Sequence, residues 1–115
     1  VNGINVLASD GNVVMTTLEG EDHKPPKGAT LICDETKEPV AIAGVKGGLK
    51  SGISDSTNSL LLESATFSPV AIRKTSRKIG LITDASQRYE KSLDPEMTPV
   101  ALARILYLLK NIDKF

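Results

Sequence analysis

The run from Ser59 to Phe67, Ser-Leu-Leu-Leu-Glu-Ser-Ala-Thr-Phe, constrains the fold more than any other stretch of this sequence. Leu60, Leu61, Leu62, Ala65 and Phe67 predict a buried strand, because the run is too short and too punctuated for a long helix. Glu63 interrupts it. An ionised carboxylate in apolar company needs a hydrogen-bonding partner, so two readings stand. Strand alternation would turn Glu63 to the wet side of a half-buried sheet, or Glu63 would be a polar group inside a pocket. Two neighbours bear on the choice. A glycine loop, Ala43-Gly44-Val45-Lys46-Gly47-Gly48, precedes the run, and a polar helix start, Thr83-Asp84-Ala85-Ser86, follows it.

A chain of 115 residues holds one domain with a modest core and is too short for two. The expectation is a single, partial domain over residues 1–115, cut from a longer chain that begins before Val1, with a helix over 94–115 leading into the next domain. Basic and acidic residues number 14 each, so no global field draws the chain to nucleic acid or to a membrane. Any such contact must come from a local cluster. Aromatic residues at 3%, with no Trp, argue against a base-stacking platform. Cys33, the one cysteine, lies in an apolar run and reads as a small core residue of a reducing compartment. No apolar run is long enough to span a bilayer, and no secretory leader is visible.

The first half reads as β. Residues 4–9 and 13–18 flank Asp10-Gly11-Asn12, a hairpin signal. Residues 19–28 form a polar loop broken by Pro25-Pro26. His23 falls in it with no second His or Cys at ligand spacing, so it reads as a surface residue and no metal site is expected. Residues 30–33 and 40–43 are two further strands, joined by a turn through residues 34–39.

The second half reads as helical. Ser68-Pro69 supplies an N-cap and a proline at the first helical position, and Gly80 a stop. Ile72, Thr75, Ser76 and Ile79 share one face of that helix, and Arg73, Lys74, Arg77 and Lys78 share the other. This is the densest cationic cluster of the chain. Its plainer reading is a solvated helix face, its sharper one phosphate contact. A short helix fits residues 84–93, with Asp84 and Gln87 at capping-box spacing and Ala85, Tyr89 and Leu93 stacked at four-residue intervals. The last helix starts at Asp94-Pro95 or at Thr98-Pro99. Its stripe of Leu102, Ile105, Leu106, Leu109 and Ile112, widened by Ala101 and Leu108, suits ordinary core or burial against more than this domain offers. The class is α+β, with a β-sandwich or mixed sheet in the N-terminal half and two to three helices after it.

The glycine loop invites a nucleotide reading, because Lys50-Ser51 follows Gly44 at phosphate-loop spacing. The match fails twice. Leu49 stands where the tight turn needs glycine, and residues 52–58 carry turn chemistry instead of the helix whose N-terminus holds phosphates.

Taken together, Ala41-Ile-Ala-Gly-Val-Lys-Gly-Gly48, Asp55-Ser-Thr57, Leu61-Leu-Glu-Ser-Ala65, Ile72-Arg73, Gly80-Leu-Ile-Thr-Asp-Ala-Ser-Gln-Arg-Tyr-Glu90 and Asp94-Pro95 resemble the central, B3/B4 region of the bacterial phenylalanyl-tRNA synthetase β chain. The order and spacing agree over roughly residues 30–109. In two places the sequence departs. Lys46 stands where the family usually has an apolar residue, and Lys91-Ser92 where it usually has Arg-Gly.

The resemblance implies a layered α+β editing module that binds and hydrolyses Tyr-tRNA(Phe), the phenylalanine tRNA wrongly charged with tyrosine. It implies pocket residues Gly44 and Gly47 in the loop, Glu63, and Thr83 and Ala85 at the helix start. It also implies water attack on the ester helped by the tRNA's terminal hydroxyls, and a histidine upstream of Val1 near the site. The parent would be a cytoplasmic ligase of protein synthesis using ATP and Mg, an α2β2 assembly with a synthetase α chain. No cofactor is expected in this segment, and no catalytic side chain is assigned. The alternative is a non-catalytic tRNA-docking or structural module of the same synthetase, with Arg73, Lys74, Arg77 and Lys78 as its tRNA contacts.

Overall fold

The computed structural model describes residues 2–112. Its centre is an antiparallel sheet in the order β1 (Asn5–Ala8), β4 (Thr30–Cys33), β5 (Pro39–Ile42), β6 (Lys46–Gly47). β2 (Met15–Thr16) and β3 (Asp22–His23) pair separately. β4 is the buried centre: Leu31, Ile32 and Cys33 are all buried, as a strand covered on both sides requires. The β4–β5 turn forms as its sequence predicts. The Asp34 carboxylate accepts from the Thr36 amide at 2.8 Å, the Thr36 hydroxyl at 2.7 Å and the Glu38 amide at 3.0 Å, an Asx-type turn.

Helix α1 (Pro69–Lys78) starts where Ser68-Pro69 places it. The Ser68 hydroxyl accepts from the Ala71 amide at 3.4 Å, and Gly80 leaves the helix at φ +68. Ile72, Thr75 and Ser76 are buried, and Ile72 joins Met15, Leu31, Cys33, Ile42 and Val45 in one core. Helix α2 (Asp84–Tyr89) and helix α3 (Met97–Lys110) complete the α+β arrangement, all strand pairings being antiparallel.

Several expectations are corrected. Residues 4–9 and 13–18 make no hairpin: β1 pairs with β4, and β2 with β3. Gly11 does turn the chain at φ +89, but Ser9 ends β1 by exchanging backbone hydrogen bonds with Gly28 and Ala29 at 2.8 and 2.7 Å. The next residues are thereby steered to the second sheet. Residues 59–67 form no strand. The sheet edge at β6 is already met by Thr17, bridged to Gly48, and by Leu18, whose amide donates to Gly47 at 3.2 Å. The run takes no regular secondary structure and is held to the start of α3 by the Ser64 hydroxyl donating to the Thr98 carbonyl at 2.8 Å. Leu61 stays 67% exposed.

His23 belongs to β3 and not to a loop, and its side chain is only 15% exposed. Its Nε2 lies 3.5 Å from Glu21 and has no hydrogen-bond partner among the described residues. At that distance the contact is at most a loose ion pair when His23 is protonated. Helix α2 stops at Tyr89, so Leu93 leaves the stack, and the capping box uses Thr83 and Ser86 in place of Asp84 and Gln87. Helix α3 begins between the two candidate prolines, and none of its residues is buried. Residues 113–115 of the expected 94–115 helix lie outside the described residues. The phosphate-loop reading stays rejected: Leu49–Ser51 is one 3₁₀ turn, and the next helix begins at Pro69.

Candidate functional site

The glycine loop is a tight corner between β5 and β6. At Gly44 the backbone takes φ +66, a left-handed conformation that disfavours any Cβ. A Cβ there would lie 2.8 Å from Ile72 Cδ1, 3.1 Å from Phe67 Cδ2 and 3.3 Å from Tyr89 Cδ2. Gly48 is required for another reason, since its Cβ would stand 2.8 Å from the Val40 carbonyl oxygen. Gly47 is under no such pressure, its nearest neighbour being Leu18 Cδ1 at 3.5 Å. Gly44→Ala is therefore expected to destabilise the fold by about 2–4 kcal/mol, from left-handed strain plus overpacking. A denaturant midpoint that does not move would contradict this.

The loop is tied to the start of α2. Thr83 Oγ1 donates to the Val45 carbonyl at 2.8 Å and accepts from the Ser86 amide at 3.1 Å. The Ser86 hydroxyl lies 2.9 Å from both the amide and the carbonyl of Thr83. The single proton of Thr83 is thus committed to Val45, leaving only acceptor capacity for a ligand. Ala85, next along, is half-buried.

The 59–67 run reaches the same corner at its far end. Phe67 and Tyr89 pack as a tilted ring pair, centroids 5.1 Å apart at 56°. The charge of Glu63 acts on the phenol of Tyr89, which is raised above its ordinary value first by burial and then by that carboxylate. Glu63 itself is raised by desolvation. As a residue it remains exposed, and water screens its charge. The loop, the run and α2 therefore meet around Gly44. Neither Phe67 nor Tyr89 was marked by the sequence as part of this corner. Their aromatic types at the ends of two apolar stretches look like ordinary core.

Lys46 forms an ion pair with Glu19 and, foremost through that contact, holds the Glu19 carboxyl below its ordinary value. The Lys46 charge is thereby matched on the spot. Ser92 adopts φ +57, a left-handed conformation that costs a non-glycine residue about 1 kcal/mol.

Two surface depressions lie away from this corner. One is lined by Ile53, Thr57, Asn58, Ser59, Leu60, Leu62, Leu106 and Leu109, between residues 53–62 and α3. The other is lined by Pro26, Lys27, Lys74, Arg77 and Lys78. None of Gly44, Gly47, Glu63, Thr83 and Ala85 lines either one. The cationic stripe of α1 is also divided: Lys74, Arg77 and Lys78 line the depression, Arg73 does not, and Lys27 joins from the preceding loop. Among the described residues no group of three or more His, Cys, Asp or Glu is placed to hold a metal ion, and no helix is long and apolar enough to cross a membrane.

The chain is similar to phenylalanine–tRNA ligase beta subunits. It is 45% identical over 96 residues to that of Porphyromonas gingivalis, covering 84% of this chain and 12% of the relative. With Shewanella oneidensis it shares 41% over 109 residues, 95% of this chain and 14% of the relative, and with Aquifex aeolicus 40% over 107 residues, 93% and 14%. It thus spans only a small part of the length of these curated relatives. The B3/4 domain model matches residues 1–114. The chain belongs to the B3/4 domain family.

Proposed function

We propose that this chain is the editing part of a phenylalanine–tRNA ligase beta subunit, binding the tyrosyl end of Tyr-tRNA(Phe) and promoting hydrolysis of its ester. The observation that carries this reading is the meeting of the glycine loop, the Glu63-bearing run and the start of α2 around Gly44. Tyrosine differs from phenylalanine by one phenolic hydroxyl. Ionised Glu63 accepts a hydrogen bond from that hydroxyl, and the Gly47 N–H donates to its oxygen. Phenylalanine offers neither and leaves the carboxylate unpaired. A site built to bond a substrate hydroxyl rejects the analogue lacking it by ~10⁴-fold or more. Ala85 leaves room for the ring, and Thr83 fixes the helix start against the loop.

Hydrolysis proceeds by water attack on the ester carbonyl, helped by the tRNA's terminal hydroxyls, releasing tyrosine and tRNA. No side chain of this segment serves as nucleophile. Cys33 is buried, and its thiol is pushed up first by burial and then by Asp34 and Glu38, away from the reactive thiolate. The parent enzyme would use ATP and Mg outside this segment, bind tRNA(Phe), pair with an alpha chain as an α2β2 assembly, and work in the cytoplasm. The test is misacylation. Supplied with tyrosine, the full ligase carrying Glu63→Ala should accumulate Tyr-tRNA(Phe), and unaltered hydrolysis would sink the role of Glu63. The second reading, a non-catalytic tRNA-docking module, is favoured by the depression lined with Lys27, Lys74, Arg77 and Lys78.

A further inference from the structure

We propose that the depression between α1 and the loop at residues 24–28 is a binding groove for the sugar-phosphate backbone of RNA, with Lys27, Lys74, Arg77 and Lys78 as its phosphate contacts. The depression is shallow and open to solvent, with a volume of about 550 Å³, and its lining holds four cations, Pro26 and no carboxylate. Among the described residues none of the four takes part in an ion pair. Their concentration is unusual in a chain whose 14 basic and 14 acidic residues cancel.

Lys74, Arg77 and Lys78 stand three and four residues apart on α1, where like charges repel. Lys27 adds a fourth from a segment far away in sequence. Such an arrangement opposes folding slightly and is relieved by a polyanion.

Both walls are held in place. Ile72, Thr75 and Ser76 bury the opposite side of α1. On the loop, the Ser9 hydroxyl donates to the Pro25 carbonyl at 3.1 Å. The Ser9 backbone accepts from Gly28 at 2.8 Å and donates to Ala29 at 2.7 Å. Gly11 leaves no slack, since a Cβ there would lie 3.3 Å from the Lys27 amide nitrogen. Lys27 therefore projects from a fixed backbone, which lowers the ordering cost of binding.

The lining carries no aromatic side chain to stack on a base. The groove thus reads charge, and positions RNA without reading its sequence. A lipid surface fits less well, because a concave lining without large apolar side chains has nothing to insert between acyl chains. The choice of RNA rests on the proposed editing reading, but the groove shares no residue with the Gly44 corner and holds the RNA away from the ester.

The test is the salt dependence of tRNA(Phe) binding to the full-length ligase carrying Lys27→Gln, Arg77→Gln or Arg73→Gln, with circular dichroism as the fold control. Lys27→Gln and Arg77→Gln should each weaken binding and lower the slope of log K against log salt by about one. Arg73→Gln, outside the groove, should leave the slope as it is. An unchanged slope for Lys27→Gln and Arg77→Gln would overturn the groove, as would an equal loss in Arg73→Gln. Binding to phosphatidylserine vesicles that fails in Lys27→Gln, with tRNA binding intact, would reassign it to a membrane. If the slopes change as expected while the unaltered ligase does not hydrolyse Tyr-tRNA(Phe), the groove stands and the editing reading falls. Unchanged slopes with intact hydrolysis mean the reverse.

Discussion

Glu63→Ala is expected to lower the preference for Tyr-tRNA(Phe) over Phe-tRNA(Phe) hydrolysis by about 10²-fold or more, with the rate of phenylalanyl-adenylate formation unchanged. Two effects combine. Removing a hydrogen bond to a charged acceptor costs about 1.5–3 kcal/mol, or roughly 10- to 150-fold, on the tyrosyl side. On the phenylalanyl side the penalty of an unpaired carboxylate disappears, so the correctly charged ester loses the protection that the penalty gave it. The pH profile supplies an independent sign. Desolvation raises the Glu63 carboxyl above its ordinary value, and only the ionised form accepts the phenol proton with full strength. Hydrolysis should fall as pH drops through that raised value, at higher pH than for an ordinary glutamate. Glu63→Ala should lack this acid limb.

Ala85→Trp is expected to abolish Tyr-tRNA(Phe) hydrolysis while Tm moves by only a few degrees. Ala85 lies in the first turn of α2 and is half-buried, next to the fully buried Ser86. Overpacking a closed core costs about 1–3 kcal/mol, whereas filling a pocket that water already occupies costs much less. If Ala85 is the wall along which the tyrosine ring passes, the indole blocks entry and leaves the Thr83–Ser86 capping box intact. If the variant melts the domain instead, Ala85 is core, and the site built on it is wrong.

The parts of the fold legible in the sequence are those whose causes are local. Ser68-Pro69 starts α1 and Gly80 ends it because capping and left-handed geometry depend on adjacent residues. Asp34 organises the β4–β5 turn through bonds to Thr36 and Glu38, within four residues. What depended on distant partners was not legible. Asp10-Gly11-Asn12 does form a turn, but which strand β1 pairs with is decided by Ser9 meeting Gly28 and Ala29. The leucines of residues 59–67 look the same whether they join a ladder or lie beside α3. At α2, two overlapping capping patterns were present, and Thr83 prevailed over Asp84 because its hydroxyl also bonds Val45. The candidate site divides likewise. Glu63 stands out by residue type against its context, whereas Gly44 and Thr83 are marked as pocket residues by the resemblance alone. Phe67, Tyr89 and Lys27 acquire their places only through tertiary contact.

Equilibrium binding of non-hydrolysable 3′-tyrosyl- and 3′-phenylalanyl-adenosine analogues to the full-length ligase, with and without Glu63→Ala, tests most directly the claim that Glu63 reads the phenol. The measurement needs its synthetic site saturated with a phenylalanyl-adenylate analogue, so that only the second site reports. The tyrosyl analogue should bind the unaltered protein more tightly than the phenylalanyl one, and Glu63→Ala should erase the difference. Equal affinity of the two analogues for the unaltered protein, or a tyrosyl preference that survives Glu63→Ala, would contradict the account.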